Sequence, residues 1–136
     1  MEDQTRETPE TERPEIGSED HAKRVAQQND QFRRWHCIGE RKPGVFVPGK
    51  SVWTAAFEAR EPAFKREALK AIGAIDTFEP DNDPDGFHDF GAVEIEGETV
   101  WFKIDMYDQN YEYGSEDPSD LRATCRVLTI LFPSDW

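Results

Sequence analysis

The dipeptide Glu96-Gly97 lies between two stretches that alternate apolar and polar residues, and it constrains this chain more than any other feature. Ala92-Val93-Glu94-Ile95 leads into it, and residues 99–105 lead out. A period of two over such lengths marks strands half-buried in a sheet, and a two-residue connection between them predicts a tight antiparallel hairpin. With Glu96 and Gly97 as the turn, every pairing is fixed. Val93 faces Val100, Gly91 faces Phe102 and Asp89 faces Ile104 on the side that reads as core. On the other side Ala92 faces Trp101, Phe90 faces Lys103 and His88 faces Asp105. A slip of one residue exchanges the two faces.

The remaining elements build around that hairpin. Ser18 reads as a helix cap, with Glu19 and Asp20 suited to the positive end of the helix dipole. Ala22, Val25, Ala26, Asn29 and Phe32 then share one stripe, which predicts a helix ending near Arg34. A turn at Arg41-Lys42-Pro43-Gly44 leads into a short strand at 45–47 that Pro48-Gly49 ends, and residues 51–59 lean helical. Pro62 opens a further helix whose buried stripe is Phe64, Ala68, Ala71, Ile72 and Ile75. Residues 123–132 form a third long strand, apolar enough to be central. The expected architecture is α+β, with two or three helices packed on one face of a small, mainly antiparallel sheet. A single domain over 18–136 is expected to follow an acidic tail over 1–17. That tail has too few apolar residues to offset its ordering entropy, so it is expected to be disordered.

Net charge is −13, and its distribution matters more than its size. Residues 21–75 sum to +6 and residues 76–121 to −14, so a basic half is joined to a strongly acidic one. The basic helix lacks stacking aromatics beside its charges, so no direct nucleic-acid binding is expected. No apolar run approaches a membrane span, and no hydrophobic leader core occurs in the first 20 residues, which points to a cytoplasmic protein with no membrane contact. Cys37 and Cys125 are far apart and read as reduced thiols.

The face carrying His88 and Asp105 is the sharpest chemical constellation. A carboxylate opposite an imidazole holds one tautomer and favours its charged form. Lys103 could bind an anion there, Arg126 could join from the next strand, and Asp89 and Asp108 complete the set of candidate acid–base groups. Trp101, Tyr107, Tyr111 and Tyr113 would supply apolar anchors for a partner, with Glu116, Asp117 and Arg126 beside them. Asp81, Asp83, Asp85 and Gly86 open like a calcium loop, but Ala92 stands where the closing glutamate belongs, so a solvated acidic turn is the better reading. The three histidines are scattered, and no phosphate- or dinucleotide-binding glycine motif occurs. No metal and no cofactor are expected.

Several blocks in residues 78–131 occur together in order: Asp81-Asn82-Asp83-Pro84, His88-Asp89-Phe90-Gly91, Lys103-Ile104-Asp105, Tyr107-Asp108, Gly114-Ser115-Glu116-Asp117-Pro118, and Thr124 with Arg126-Val127-Leu128-Thr129-Ile130. In these blocks the chain resembles a bacterial family designated domain of unknown function 3768. Phe87 stands where that family has a glutamate, and Met106 where it has a second tyrosine. The family carries no assigned activity, so the resemblance locates a site and leaves its chemistry open. The leading expectation is a small acidic binding or regulatory protein that meets a partner's basic surface through its C-terminal half. A hydrolase or lyase using His88, Asp105 and Lys103 is the alternative, and a nucleic-acid mimic that inhibits a DNA-acting enzyme is a further one.

Overall fold

In the computed structural model, which describes residues 14–136, the first helix begins at its expected cap. Ser18 is extended and its Oγ accepts from the His21 N–H at 3.1 Å, opening α1 (Glu19–Ile38). The helix outruns the expected end by a turn. Gly39 is left-handed (φ 71°), and the N–H groups of Gly39 and Glu40 reach back to Trp35 O and Arg34 O. The acidic tail expected over 1–17 lies outside the described residues as far as position 13; the chain then turns at Ile16 and Gly17.

The strand expected at 45–47 is displaced. Pro48-Gly49 does not end a strand but opens one, β1 (Gly49–Trp53). Gly49 sits at φ 150°, and a Cβ placed there would lie 2.2 Å from Arg126 O and 2.8 Å from Phe32 Cζ. Only a residue without a side chain lets the backbone come that close. The helical reading of 51–59 holds only for the four-residue α2 (Ala55–Glu58), capped by Thr54. Next come α3 (Pro62–Gly73), β2 (Phe90–Ile95), β3 (Glu98–Tyr107) and β4 (Cys125–Leu131).

The sheet order is β1-β4-β3-β2, with β1 parallel to β4 and the other pairs antiparallel. The hairpin has the expected register, Phe90 with Lys103, Gly91 with Phe102, Ala92 with Trp101 and Val93 with Val100. Glu96 (φ 54°) and Gly97 (φ 83°) are both left-handed, as the tight turn that suits strand twist requires. Val100, Phe102 and Ile104 share a face with Leu128 and Ile130, where Phe32, Phe57, Phe64, Ala68 and Ile72 bury them. The fold is α+β with its helices on that face. Among the described residues, no α-helix lies over the other face, which bears Lys50, Val52, Val127, Thr129, Trp101, Lys103, Asp105 and Tyr107. No helix among the described residues is long and apolar enough to cross a membrane.

Gly49→Ala should therefore lower stability by about 3 kcal/mol or more in urea unfolding, because backbone must move. Gly44→Ala also replaces a positive-φ glycine (φ 78°), but meets nothing within 4 Å. It should cost only about 1 kcal/mol. Equal losses would remove the close approach as the reason for Gly49.

Candidate functional site

The ladder between β2 and β3 ends abruptly. Asp89 O still accepts from Ile104 N–H at 2.8 Å, but His88 turns left-handed (φ 56°) and takes the chain off the sheet. The alternation of the strand puts the N–H and C=O groups of Ile104, Met106 and Asp108 on this edge. The vacated edge is filled by a return of the chain: Ser115 N–H donates to Met106 O (2.9 Å), and Asp108 N–H to Tyr113 O (2.7 Å). Asp108 organises that return, its Oδ1 accepting from the Asn110 and Glu112 N–H groups at 3.0 and 3.1 Å. These bonds, with Glu112 foremost, hold its carboxyl below the usual carboxylate range.

The turn at His88 corrects the expected constellation. His88 does not face Asp105. Its ring stacks on Phe78 at 3.9 Å, and Nδ1 donates to Asp30 on α1 at 3.0 Å. Asp83 Oδ1 accepts from the His88 backbone N–H at 3.0 Å. Asp30 in turn accepts from Arg33, a buried guanidinium that also donates to Ile72 O in the last turn of α3 and to Ile75 O just beyond it. Burial lowers the Arg33 pKa, against the pull of Asp30. Lys103 instead pairs with Asp105 along its own strand, 2.7 Å apart, on the open face. A left-handed residue breaks the period of two, so the imidazole goes to the helix side while Lys103 and Asp105 stay on the other. Asp89 is half-buried between them. Its carboxyl is raised, first by burial and then by the charges of Asp83, Asp85 and Asp105.

Arg126 is the second correction. Alternation along β4 places it with Leu128 and Ile130 on the helix side, where it has no exposure to water. Nε donates to Asn29 Oδ1, and Nη2 to Gln28 Oε1 and Pro118 O at 2.9 and 3.0 Å. These acceptors are uncharged and Nη1 has no partner among the described residues, so burial pulls the guanidinium down to about 10. Asn29 also donates to Phe87 O at 2.9 Å, and Gln28 to Ser119 O at 2.9 Å. Asp117 extends this seam. Its Oδ1 accepts from buried His21 Nε2 (2.9 Å) and from the Ser119 hydroxyl and N–H, while its carbonyl accepts from Thr124. Burial pushes the Asp117 carboxyl up, but the hydrogen bonds from Ser119 and His21 outweigh it and leave it lowered. Asp117 and Arg126 thus join α1 to the 114–121 loop.

The surface that remains is acidic and aromatic. Residues 76–89 and 108–120 hold eleven acids and no lysine or arginine, and both segments leave the hairpin at the end remote from its turn. A concavity of about 840 Å³ opens there, lined by Asp108, Tyr113, Glu116, Asp120 and Arg122 among others. Beside it, Tyr111 lies over the open face, its ring 4.6 Å from Lys50 Nζ and 6.3 Å from the ring of Tyr107. At the far end Trp136 packs edge-on against Trp101. Tyr113 and Trp136 are 73% and 75% exposed, high for large aromatics.

The expected site residues therefore divide three ways. Trp101, Lys103, Asp105, Tyr107 and Tyr111 share the open face; Asp108, Tyr113 and Glu116 belong to the acidic concavity; His88, Asp117 and Arg126 are tied to α1. Of the calcium-like acids, Asp83 turns inward to His88 while Asp81 and Asp85 stay exposed. Among the described residues, no group of three or more His, Cys, Asp or Glu side chains is placed to hold a metal ion. Asp30 and Gln28 were missed by the sequence reading. Asn29 on an otherwise apolar stripe was the available signal, since a polar residue at a core position needs a buried partner.

Truncating Arg126 to Met should cost about 1–3 kcal/mol, because Asn29, Gln28 and Pro118 lose a buried donor together. A double-mutant cycle with Asn29→Ala should return a coupling of at least about 1 kcal/mol, whereas additive losses would mean the two act separately. For Asp117 the lowered carboxyl fixes the sign: its stabilisation is present above the unfolded carboxylate pKa and is lost as pH falls through the folded one. Asp117→Asn should destabilise by about 1–2 kcal/mol at pH 7, and the difference should shrink in urea titrations as pH falls through the lowered Asp117 pKa.

No curated protein and no solved structure matches the chain. A family model does match, over residues 53–135, which takes in α2, α3 and the whole sheet except the first four residues of β1. The chain belongs to the family described as protein of unknown function DUF3768.

Proposed function

We propose that this protein is a binding module with a regulatory role, which engages a protein partner's basic surface through its acidic pole. The concavity lined by Asp108, Glu116 and Asp120 beside exposed Tyr113 carries this reading. Eleven acids on two segments that carry no lysine or arginine focus a negative field at one end of the molecule, which speeds encounter with a cationic surface. Tyr111 and Tyr113 add apolar area that charge alone does not supply. The hydrolase or lyase reading loses support because His88 and the Lys103–Asp105 pair stand on opposite sides of the sheet. Nucleic-acid mimicry asks for a row of free carboxylates, and Asp83, Asp108 and Asp117 are engaged within the fold.

The test uses tagged full-length chain in native cells at low salt, followed by purification of the captured protein and measurement of its Kd. Affinity should fall steeply toward 1 M salt, where the Debye length is only about 3 Å. A Glu112→Gln/Glu116→Gln/Tyr113→Ala variant, changed only at exposed side chains, should bind at least tenfold more weakly. Binding that ignores both salt and variant would contradict the reading, as would capture of nucleic acid in place of protein.

A further inference from the structure

The edge of the sheet formed by β1 exposes backbone as well as side chains. Arg126 N–H donates to Pro48 O and Thr54 N–H donates to Ile130 O, so the even-numbered residues of β1 face β4. Gly49, Ser51 and Trp53 therefore turn their N–H and C=O groups away from the sheet. No hydrogen bond reaches those groups from any other described residue. An unpaired edge of this kind is a template for an added strand. Nothing in β1 blunts it: the strand contains no proline, and its one charge, Lys50, is drawn onto Tyr111 over the open face.

Below the same edge, on the helix side, a cavity of about 210 Å³ lies between β1, α1 and α3. Cys37, Trp53, Leu69, Leu128 and Ile130 line it, with His36 at its side. Small-molecule sites start at roughly 300 Å³, so this cavity suits a single side chain. It is also uncharged. Burial pushes the Cys37 thiol up to about 12 and lowers the His36 imidazole, whose Nδ1 is 3.1 Å from Ser51 Oγ. A strand laid beside β1 would send alternate side chains to this side of the sheet.

The chain leading into this edge is basic, unlike the acidic pole. The chain entering β1 carries Arg41, Lys42 and Lys50 against Glu40. Lys65 sits 5.4 Å over the Trp53 ring, paired with Glu58. A second copy is a poor occupant, because pairing two β1 strands antiparallel about Ser51 sets Lys50 diagonal to its own equivalent. We propose that β1 receives an extended, acidic segment of a partner protein as a fifth strand, with one aliphatic side chain of that segment in the cavity below. The test of this edge does not depend on the acidic-pole reading.

The probe is a fluorescein-labelled peptide, Glu-Val-Glu-Leu-Glu-Val-Glu, titrated with the full chain by anisotropy. Its controls are the same peptide with lysine for glutamate and the same peptide N-methylated at alternate residues. The acidic peptide should bind saturably, and both controls at least tenfold more weakly. Leu69→Trp, which fills the cavity, should also weaken binding at least tenfold. So should Ser51→Pro, which removes an outward N–H and no bond to β4; if that variant does not fold, the N-methylated peptide asks the same question of the wild-type chain. Absence of saturable binding by the acidic peptide would overturn the proposal. Equal binding by either control would do the same, as would sedimentation of the free chain as a dimer that Ser51→Pro dissociates.

Discussion

A guanidinium sealed from water, with only uncharged acceptors, holds this molecule's parts in register. Arg126 extends from the central strand to Asn29 and Gln28 on α1 and to the carbonyl of Pro118 in the loop before β4. Burying such a charge is costly, and removing any one acceptor costs more than a neutral bond is worth. The seam therefore fixes where α1 lies across the sheet. Because Asn29 also holds Phe87 O, it fixes where the chain leaves β2. The acidic loops project from this frame, so their position follows from a buried cation.

A second interaction of the same kind stands next to it. Arg33 and Asp30 on α1 reach the carbonyls of Ile72 and Ile75 at the end of α3 and the ring of His88, with Phe78 stacked against that ring. Two polar ties from one helix thus anchor both ends of the 76–89 segment. His88 is part of this clamp, which explains why a residue that is not glycine accepts a left-handed backbone there.

The hairpin was legible in the sequence because period and turn length together leave one register. The helix stripes were legible because Phe32, Phe64 and Ile72 recur at helical spacing. β1 was not, since its place depends on Gly49 passing within van der Waals contact of Arg126 O, a contact between residues far apart in the chain. The His88–Asp105 pairing failed for a local reason. Alternation was extended two residues past Phe90, and nothing in His88-Asp89 signals that the backbone turns left-handed. Arg126 was assigned to the wrong face because a charged residue in a strand is ordinarily read as outward, although its even position in the strand places it with Leu128 and Ile130.

What emerges is a molecule with its charges sorted by place. Acids gather on the loops at one end of the β2–β3 hairpin, and bases gather on the helices and around β1, with the open sheet face between Tyr111 and Trp136. Recognition at the acidic end is the central claim, and hydrogen–deuterium exchange of the full chain with and without its captured partner tests it most directly. The account predicts new protection over residues 108–120 and the adjoining end of β3, with α3 unchanged. Protection confined to 76–89 around His88, with 108–120 unaltered, would contradict it.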